Sequence, residues 1–326
     1  MKSSQKEDGS IEIRFDKPKS RAEQKIISEE DWLAKAIKSA INKDTTERAR
    51  IEHKLNILCL LWYGMSWDSA ADDKCLQAKI MSQFKSDQKA PNNEKTLKTF
   101  LSQFHKTFGR LDDYDLKEGL PSPQCAQIAL DQLAEGPGSP LYERIYDQYT
   151  KYGHFMRNVL LLAALRAFGC TARLIISLDV IPHKPQSPNQ IKKAKEVNKK
   201  RKNETSVWLE VYCGRAWLPV VALEGDFEQA KVDEVETVMK WPMTYVVAFD
   251  SGTRDVTARY AKEWLTETKK MRIKYVEKGD ENWWKTTCAM FPSRNAHLEA
   301  EENQKLSKKV INQGESLYIV STVINE

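Results

Sequence analysis

The sequence is poor in several features that define whole protein classes. Its six cysteines, Cys59, Cys75, Cys125, Cys170, Cys213 and Cys288, are scattered, and no two have CxxC spacing. That argues against a zinc site, and neither a metal nor another cofactor is expected. Long apolar runs are missing too: the longest, Val159 to Leu165, is far too short to span a bilayer, so no membrane partner is expected. No apolar stretch follows the N-terminal Met-Lys-Ser-Ser, which excludes a secretory signal and predicts an intracellular, reduced protein. No internal repeat marks a solenoid or propeller. Neither sign of charge dominates: 51 basic against 46 acidic residues leave +5, so the placement of charge matters more than its sum.

What is present is a globular pattern. The 326 residues are 41% apolar and 30% charged, enough for a substantial core beneath a heavily solvated surface. Residues 1–20 are polar and read as a disordered N-terminus. Helical spacing follows from about Arg21 to Ile41, again from Glu47 to Tyr63, and near 71–86 and 94–108. An apolar helix then runs to Phe168 and stops at Gly169, before a buried strand from Ala172 to Leu178. Residues 182–205 interrupt this with Pro, Gln, Asn and Lys, and are expected to be disordered. Strands resume at Val207–Tyr212 and Ala216–Val221, joined by the turn Cys213-Gly214-Arg215, and again at Thr244–Phe249. Helices first and an antiparallel sheet second make the predicted class α+β.

The order of a long apolar helix, Gly169, an Ala-Arg strand, an insertion, Val207-Trp208-Leu209-Glu210-Val211-Tyr212, a turn and Trp217-Leu218 resembles the papain-like, transglutaminase-like core. In that core a cysteine opens the helix, a histidine opens the next strand and an aspartate ends the strand after it. The thiolate draws on the helix N-terminus and the imidazole, and the carboxylate orients the imidazole. Alignment on the flanking motifs places these slots at His154, Ser206 and Val221. None carries the required group. The resemblance therefore implies a catalytically degenerate domain and no enzyme, because loss of even one triad member costs orders of magnitude in rate.

Further segments are similar to the xeroderma pigmentosum group C (XPC) DNA repair family. They are Lys54 to Leu61 with Gly64, Pro242-Met243-Thr244-Tyr245-Val246-Val247-Ala248-Phe249-Asp250, Arg254-Asp255-Val256-Thr257-Ala258-Arg259-Tyr260 with Trp264, and Asp280-Glu281-Asn282-Trp283-Trp284. The Asp-Val-Thr-x-Arg-Tyr piece alone is shared with peptide:N-glycanases. The resemblance implies a non-enzymatic damage-recognition module of global-genome nucleotide excision repair, acting in the nucleus. Its implied partners are double-stranded DNA and a Rad-twenty-three-type ubiquitin-like repair protein. It divides the chain into 1–20, a transglutaminase-like domain over 21–290 and an extension over 291–326. The family's hairpin domains, with its centrin and TFIIH contacts, are expected to be absent. The alternatives are a peptide:N-glycanase-like cysteine amidase and a protein-only scaffold for the repair partner.

Within the insertion, Lys192, Lys193, Lys195, Lys199, Lys200, Arg201 and Lys202 stand against Glu196 alone. Such a run can neutralise phosphates and release counterions, serve as a nuclear localisation patch, or be a solvated loop with no partner. No aromatic residue interleaves it, so base stacking is not expected there. Elsewhere the ordinary reading is preferred. His154 reads as a structural histidine, and Trp208, Trp217, Trp264, Trp283 and Trp284 read mostly as packing residues. Asp255 and Arg259 read as a turn or cap with a local ion pair, and Cys170 as a structural thiol at the wrong end of the helix.

Overall fold

The computed structural model describes residues 2–5, 11–14, 29–84, 89–108, 153–184, 188–189, 191–192, 196, 206–214, 216–223, 226–239, 242–261, 271–273, 283–295 and 298. The chain divides into two compact units, Met1–Arg48 and Ala49–Glu326.

In the first unit, β1 (Lys2–Gln5) pairs antiparallel with β2 (Ile11–Arg14). Ile11-Glu12-Ile13-Arg14 supplies the alternation of a strand. Helix α1 (Glu29–Ala70) begins in this unit. Two helices separated near Asp44-Thr45-Thr46 were expected, and one continuous helix is found. The Thr45 and Thr46 hydroxyls donate to the Ile41 and Asn42 carbonyls one turn back, at 2.8 and 2.7 Å. They are thereby accommodated inside the helix and do not cap a new one.

The second unit is built on a six-stranded antiparallel sheet of order β6-β5-β4-β3-β7-β8. Its strands are β3 (Ala172–Ser177), β4 (Val207–Cys213), β5 (Ala216–Leu223), β6 (Asp226–Gln229), β7 (Val246–Phe249) and β8 (Thr253–Asp255). Helices α2 (Lys74–Gln83), α3 (Glu94–Phe108) and α4 (Gly153–Ala167) precede it, while α5 (Val232–Val238), α6 (Thr257–Tyr260) and α7 (Trp283–Ala289) are threaded among and after its strands.

Both faces of the sheet are buried. On one face Leu174, Ile176, Val207, Leu209, Val211 and Val220 meet Val159 to Leu165 of α4, together with Ile57 and Leu61 of α1, Ile80 of α2 and Phe100 and Phe104 of α3. On the other, Ile175, Trp208, Val221, Val246 and Ala248 meet Val235, Met239, Met243 and Tyr260. This explains why β3 and β4 read as continuous apolar runs without alternation: side chains on both sides of the pleat are out of water.

Two glycines have identifiable roles. Gly169 takes φ +80 and its N–H and that of Cys170 return to the Arg166 and Leu165 carbonyls, closing α4 and turning the chain into β3. Gly64 lets α1 approach β7: a Cβ there would lie 2.6 and 2.7 Å from Cε1 and Cε2 of Phe249, and closer still to Cζ.

Residues 291–294 bond to the turn between β7 and β8. Thr253 N donates to the Phe291 carbonyl at 2.8 Å, Arg294 N to the Asp250 carbonyl at 3.1 Å, and the Ser293 hydroxyl to the Asp250 carboxylate at 2.7 Å. Among the described residues no helix is long and apolar enough to cross a membrane.

Candidate functional site

The residues at the three slots lie on α4, just before β4 and within β5. His154 lies in the first turn of α4, though its side chain is outside those described. Ser206 is buried immediately before β4, where its carbonyl accepts from Ser177 N at 2.7 Å. Val221 sits in β5 opposite Glu228 of β6 and is wholly buried. It packs with Ile175, Trp208 and Val235 on the face away from α4. Strand alternation puts Ser206 on the same face as Trp208, whereas Val207 faces α4.

Three described thiols are suppressed. Burial pushes those of Cys170 and Cys288 up to about 12, and raises that of Cys213 as well. A nucleophilic cysteine needs the opposite shift. Among the described residues no group of three or more His, Cys, Asp or Glu side chains could hold a metal ion.

The motifs that carry the family resemblance instead build two buried polar networks. In the first, Glu210 of β4 is fully buried and meets Arg173 of β3 at 2.7 Å and Arg259 of α6 at 2.8 Å, and it accepts from the Tyr260 hydroxyl. Arg173 also lies 3.9 Å over the Trp217 ring, and Arg259 donates to the Trp217 carbonyl at 2.7 Å. Burial works against ionising Glu210, but the two guanidinium groups outweigh it and hold the carboxyl below its ordinary range.

In the second network Asp255 ends β8. It accepts from Thr257 N at 3.0 Å and from Trp284 Nε1 at 2.7 Å, and pairs with Arg272 at 2.6 Å. Burial would raise its carboxyl, yet Arg272 and Thr257 hold it at about 2. The expected Asp255–Arg259 pair is thus corrected: each residue has a different partner, Arg272 and Glu210.

The tryptophan reading is upheld for Trp208 and Trp217, which are buried, while Trp283 and Trp284 are half-buried and Trp264 lies outside the described residues.

The root of the basic insertion is anchored. Leu178 N donates to the Tyr245 carbonyl at 2.8 Å, and Ile181 N to Asn56 Oδ1 of α1 at 3.0 Å. His53 of α1 hydrogen-bonds through Nδ1 to the Ile181 carbonyl and through Nε2 to the Tyr245 hydroxyl at 3.2 Å. His183 is buried with its ring edge-on to His53 at 5.0 Å. Within the insertion, positions 188–189, 191–192 and 196 are helical. Lys192 is exposed; Lys193, Lys195, Lys199, Lys200, Arg201 and Lys202 lie outside the described residues.

Sequence reasoning missed the Arg173–Glu210 pair, Arg272 and the His53–His183 contact. A signal existed for the first: a cation and an anion each embedded in an apolar strand need a buried partner. None existed for the others, whose partners are remote in sequence.

The fold and these networks define a transglutaminase-like α+β domain. A family model described as the Rad4 transglutaminase-like domain matches residues 175–307. Solved structures agree on the fold. A chain of the Rad4–Rad23 complex bound to a 6-4 photoproduct UV lesion is 18% identical with a TM-score of 0.58, covering 83% of this chain and 60% of that one. The complex crosslinked to undamaged DNA gives 19%, 0.57, 83% and 60%. A Rad4/XPC nucleotide excision repair complex, solved to define the role of β-hairpin motifs in DNA duplex opening, gives 19%, 0.57, 83% and 62%. The chain thus spans about 60% of the length of the solved chains it matches.

Proposed function

We propose that this chain is a non-enzymatic DNA-binding module of nucleotide excision repair, which holds duplex DNA through its phosphates, engages a Rad23-type ubiquitin-like partner and works in the nucleus. The observation that carries the reading is the match of residues 175–307 to the Rad4 transglutaminase-like domain. Rad4–Rad23 assemblies on damaged and undamaged DNA support it, as does the likeness of fold across 83% of the chain.

The chemistry of the slots supports the non-enzymatic part. A serine at position 206 cannot serve as an imidazole base, and Val221, packed among apolar side chains, cannot orient one. The motif residues Glu210, Asp255, Arg259 and Tyr260 are occupied in holding the sheet to α6 and α7. The peptide:N-glycanase alternative requires an activated thiol, and burial depresses the reactivity of Cys170, Cys213 and Cys288.

For DNA, the insertion is the favoured contact. Its cations follow on a segment fixed to α1 and to Tyr245 just before β7, which would present the charge cluster from an anchored root. Phosphate contacts carry little sequence information and release counterions, so binding should be weakly sequence-dependent and fall steeply with salt.

Titration of a fluorescent duplex between 50 and 200 mM salt tests this. A log–log slope near zero rules out the phosphate contact. A pull-down of a Rad23-type protein on the same preparation separates the DNA-binding module from the protein-only scaffold. Thiol-sensitive deglycosylation activity would overturn the non-enzymatic reading.

A further inference from the structure

The phase of the β3–β4 ladder is fixed at both ends. Ser177 N donates to the Ser206 carbonyl at 2.7 Å, and Tyr212 N donates to the Thr171 carbonyl at 2.8 Å. Between them Ala172 faces Val211, Arg173 faces Glu210 and Leu174 faces Leu209. Continuing this register one residue beyond Thr171 and Tyr212 sets Cys170 directly across from Cys213. Since Thr171 and Tyr212 are the hydrogen-bonded pair, the cysteines occupy the neighbouring non-hydrogen-bonded position. There side chains approach most closely, with Cα atoms about 4.5 Å apart. That lies within the roughly 4.4–6.8 Å that a disulfide spans.

Both cysteines are also pinned. Cys170 N donates to the Leu165 carbonyl at 3.0 Å as part of the α4 stop, and Cys213 pairs with Ala216 across the β4–β5 hairpin. Cys213 belongs to the buried cluster on the α4 face and Cys170 packs against that same cluster, so the two thiols lie on one side of the sheet.

We propose that Cys170 and Cys213 form a reversible disulfide that closes a covalent ring around the basic insertion. Both are free thiols in the structure, which represents the reduced state. With oxidised glutathione as oxidant, one cysteine thiolate attacks the glutathione disulfide, whose S–S bond breaks and expels one glutathione thiolate. The second cysteine gives its proton to solvent, attacks the protein sulfur of the mixed disulfide and expels the second glutathione. Two protein thiols are oxidised and one glutathione disulfide is reduced to two thiols.

Burial, which pushes Cys170 up to about 12 and also raises Cys213, keeps the thiolate scarce near neutrality. The bond therefore closes slowly at pH 7 and about tenfold faster for each pH unit gained, because only the thiolate attacks. Once formed, it joins the entry of β3 to the exit of β4, at the end of the ladder opposite the roots of the insertion, and encloses the insertion in one covalent ring.

The experiment uses the full chain, incubated with oxidised glutathione at pH 8.5, blocked with N-ethylmaleimide, denatured and digested with trypsin. The expected product is the peptide 167–173 joined to the peptide 203–215, released by dithiothreitol. In C170S and in C213S the remaining cysteine is expected to appear alkylated or glutathionylated instead. Recovery of both wild-type peptides alkylated after prolonged oxidation overturns the proposal, as does either peptide joined to a different cysteine. The wild-type map decides the matter even if a serine variant fails to fold.

Discussion

The Arg173 guanidinium meets the Glu210 carboxylate at 2.7 Å with both side chains out of solvent, one on β3 and the other directly opposite on β4. Arg259 and Tyr260 complete the shell around the carboxylate, so a single anion ties two strands to α6. Replacing Glu210 by Gln leaves two guanidinium groups facing a neutral amide. A loss of about 3–5 kcal/mol is expected, in line with breaking a buried pair. Chemical denaturation of E210Q measures it, and a loss below about 1 kcal/mol would show the network to be dispensable.

Gly64 provides a second stability test. In G64A the new methyl overlaps the Phe249 ring, so either α1 or β7 must shift, at a cost of about 1–3 kcal/mol for overpacking. The double variant G64A/F249L should recover part of the loss, because the smaller side chain frees the space. Thermal melts of the three proteins report the outcome, and a G64A melt equal to that of the parent would show the approach to be looser than described.

The histidine contact at the root of the insertion predicts a pH dependence. Burial, with His53, Lys184 and Arg50 nearby, lowers His183 from 6.5 to about 4. Burial lowers His53 as well, against the opposing bond to the Ile181 carbonyl. The unfolded chain takes up a proton on His183 near pH 6.5, and the folded chain only near 4. Between these values the unfolded state holds more protons, so stability falls as pH drops from about 6.5 to 4. Urea midpoints at pH 7, 6 and 5 measure the fall. H183Q should flatten the profile, and an unchanged profile would place the titration elsewhere.

Charge removal tests the insertion as a DNA contact. Replacing Lys199, Lys200, Arg201 and Lys202 by Gln should weaken duplex binding with little effect on sequence preference. The salt slope should shrink by about 0.9 for each cation that contacts a phosphate. An unchanged slope and affinity would assign the contact to another surface.

Much of the domain was legible in one dimension. Helix α3, the stop at Gly169, the strands β3, β4 and β5 and the α+β class follow from local patterning, because burial of both sheet faces leaves uninterrupted apolar runs between clear turn residues. The chemical identities at His154, Ser206 and Val221 are likewise properties of the sequence. No packing can turn serine into an imidazole base or valine into a carboxylate.

Tertiary structure decided the pairings. Asp255 and Arg259 are four residues apart, but Asp255 turns to Arg272 and Arg259 to Glu210, because Asp255 ends β8 whereas Arg259 lies on α6. Asp44-Thr45-Thr46 has the composition of a helix start, but hydroxyl bonds to the preceding turn keep α1 continuous. The apposition of Cys170 and Cys213 across an intervening insertion depends on strand register. Local residue patterns set what each segment can form and which chemistry its side chains can perform. Which distant groups meet is set by long-range contacts, through the close packing that lets only one register bury both faces of the sheet.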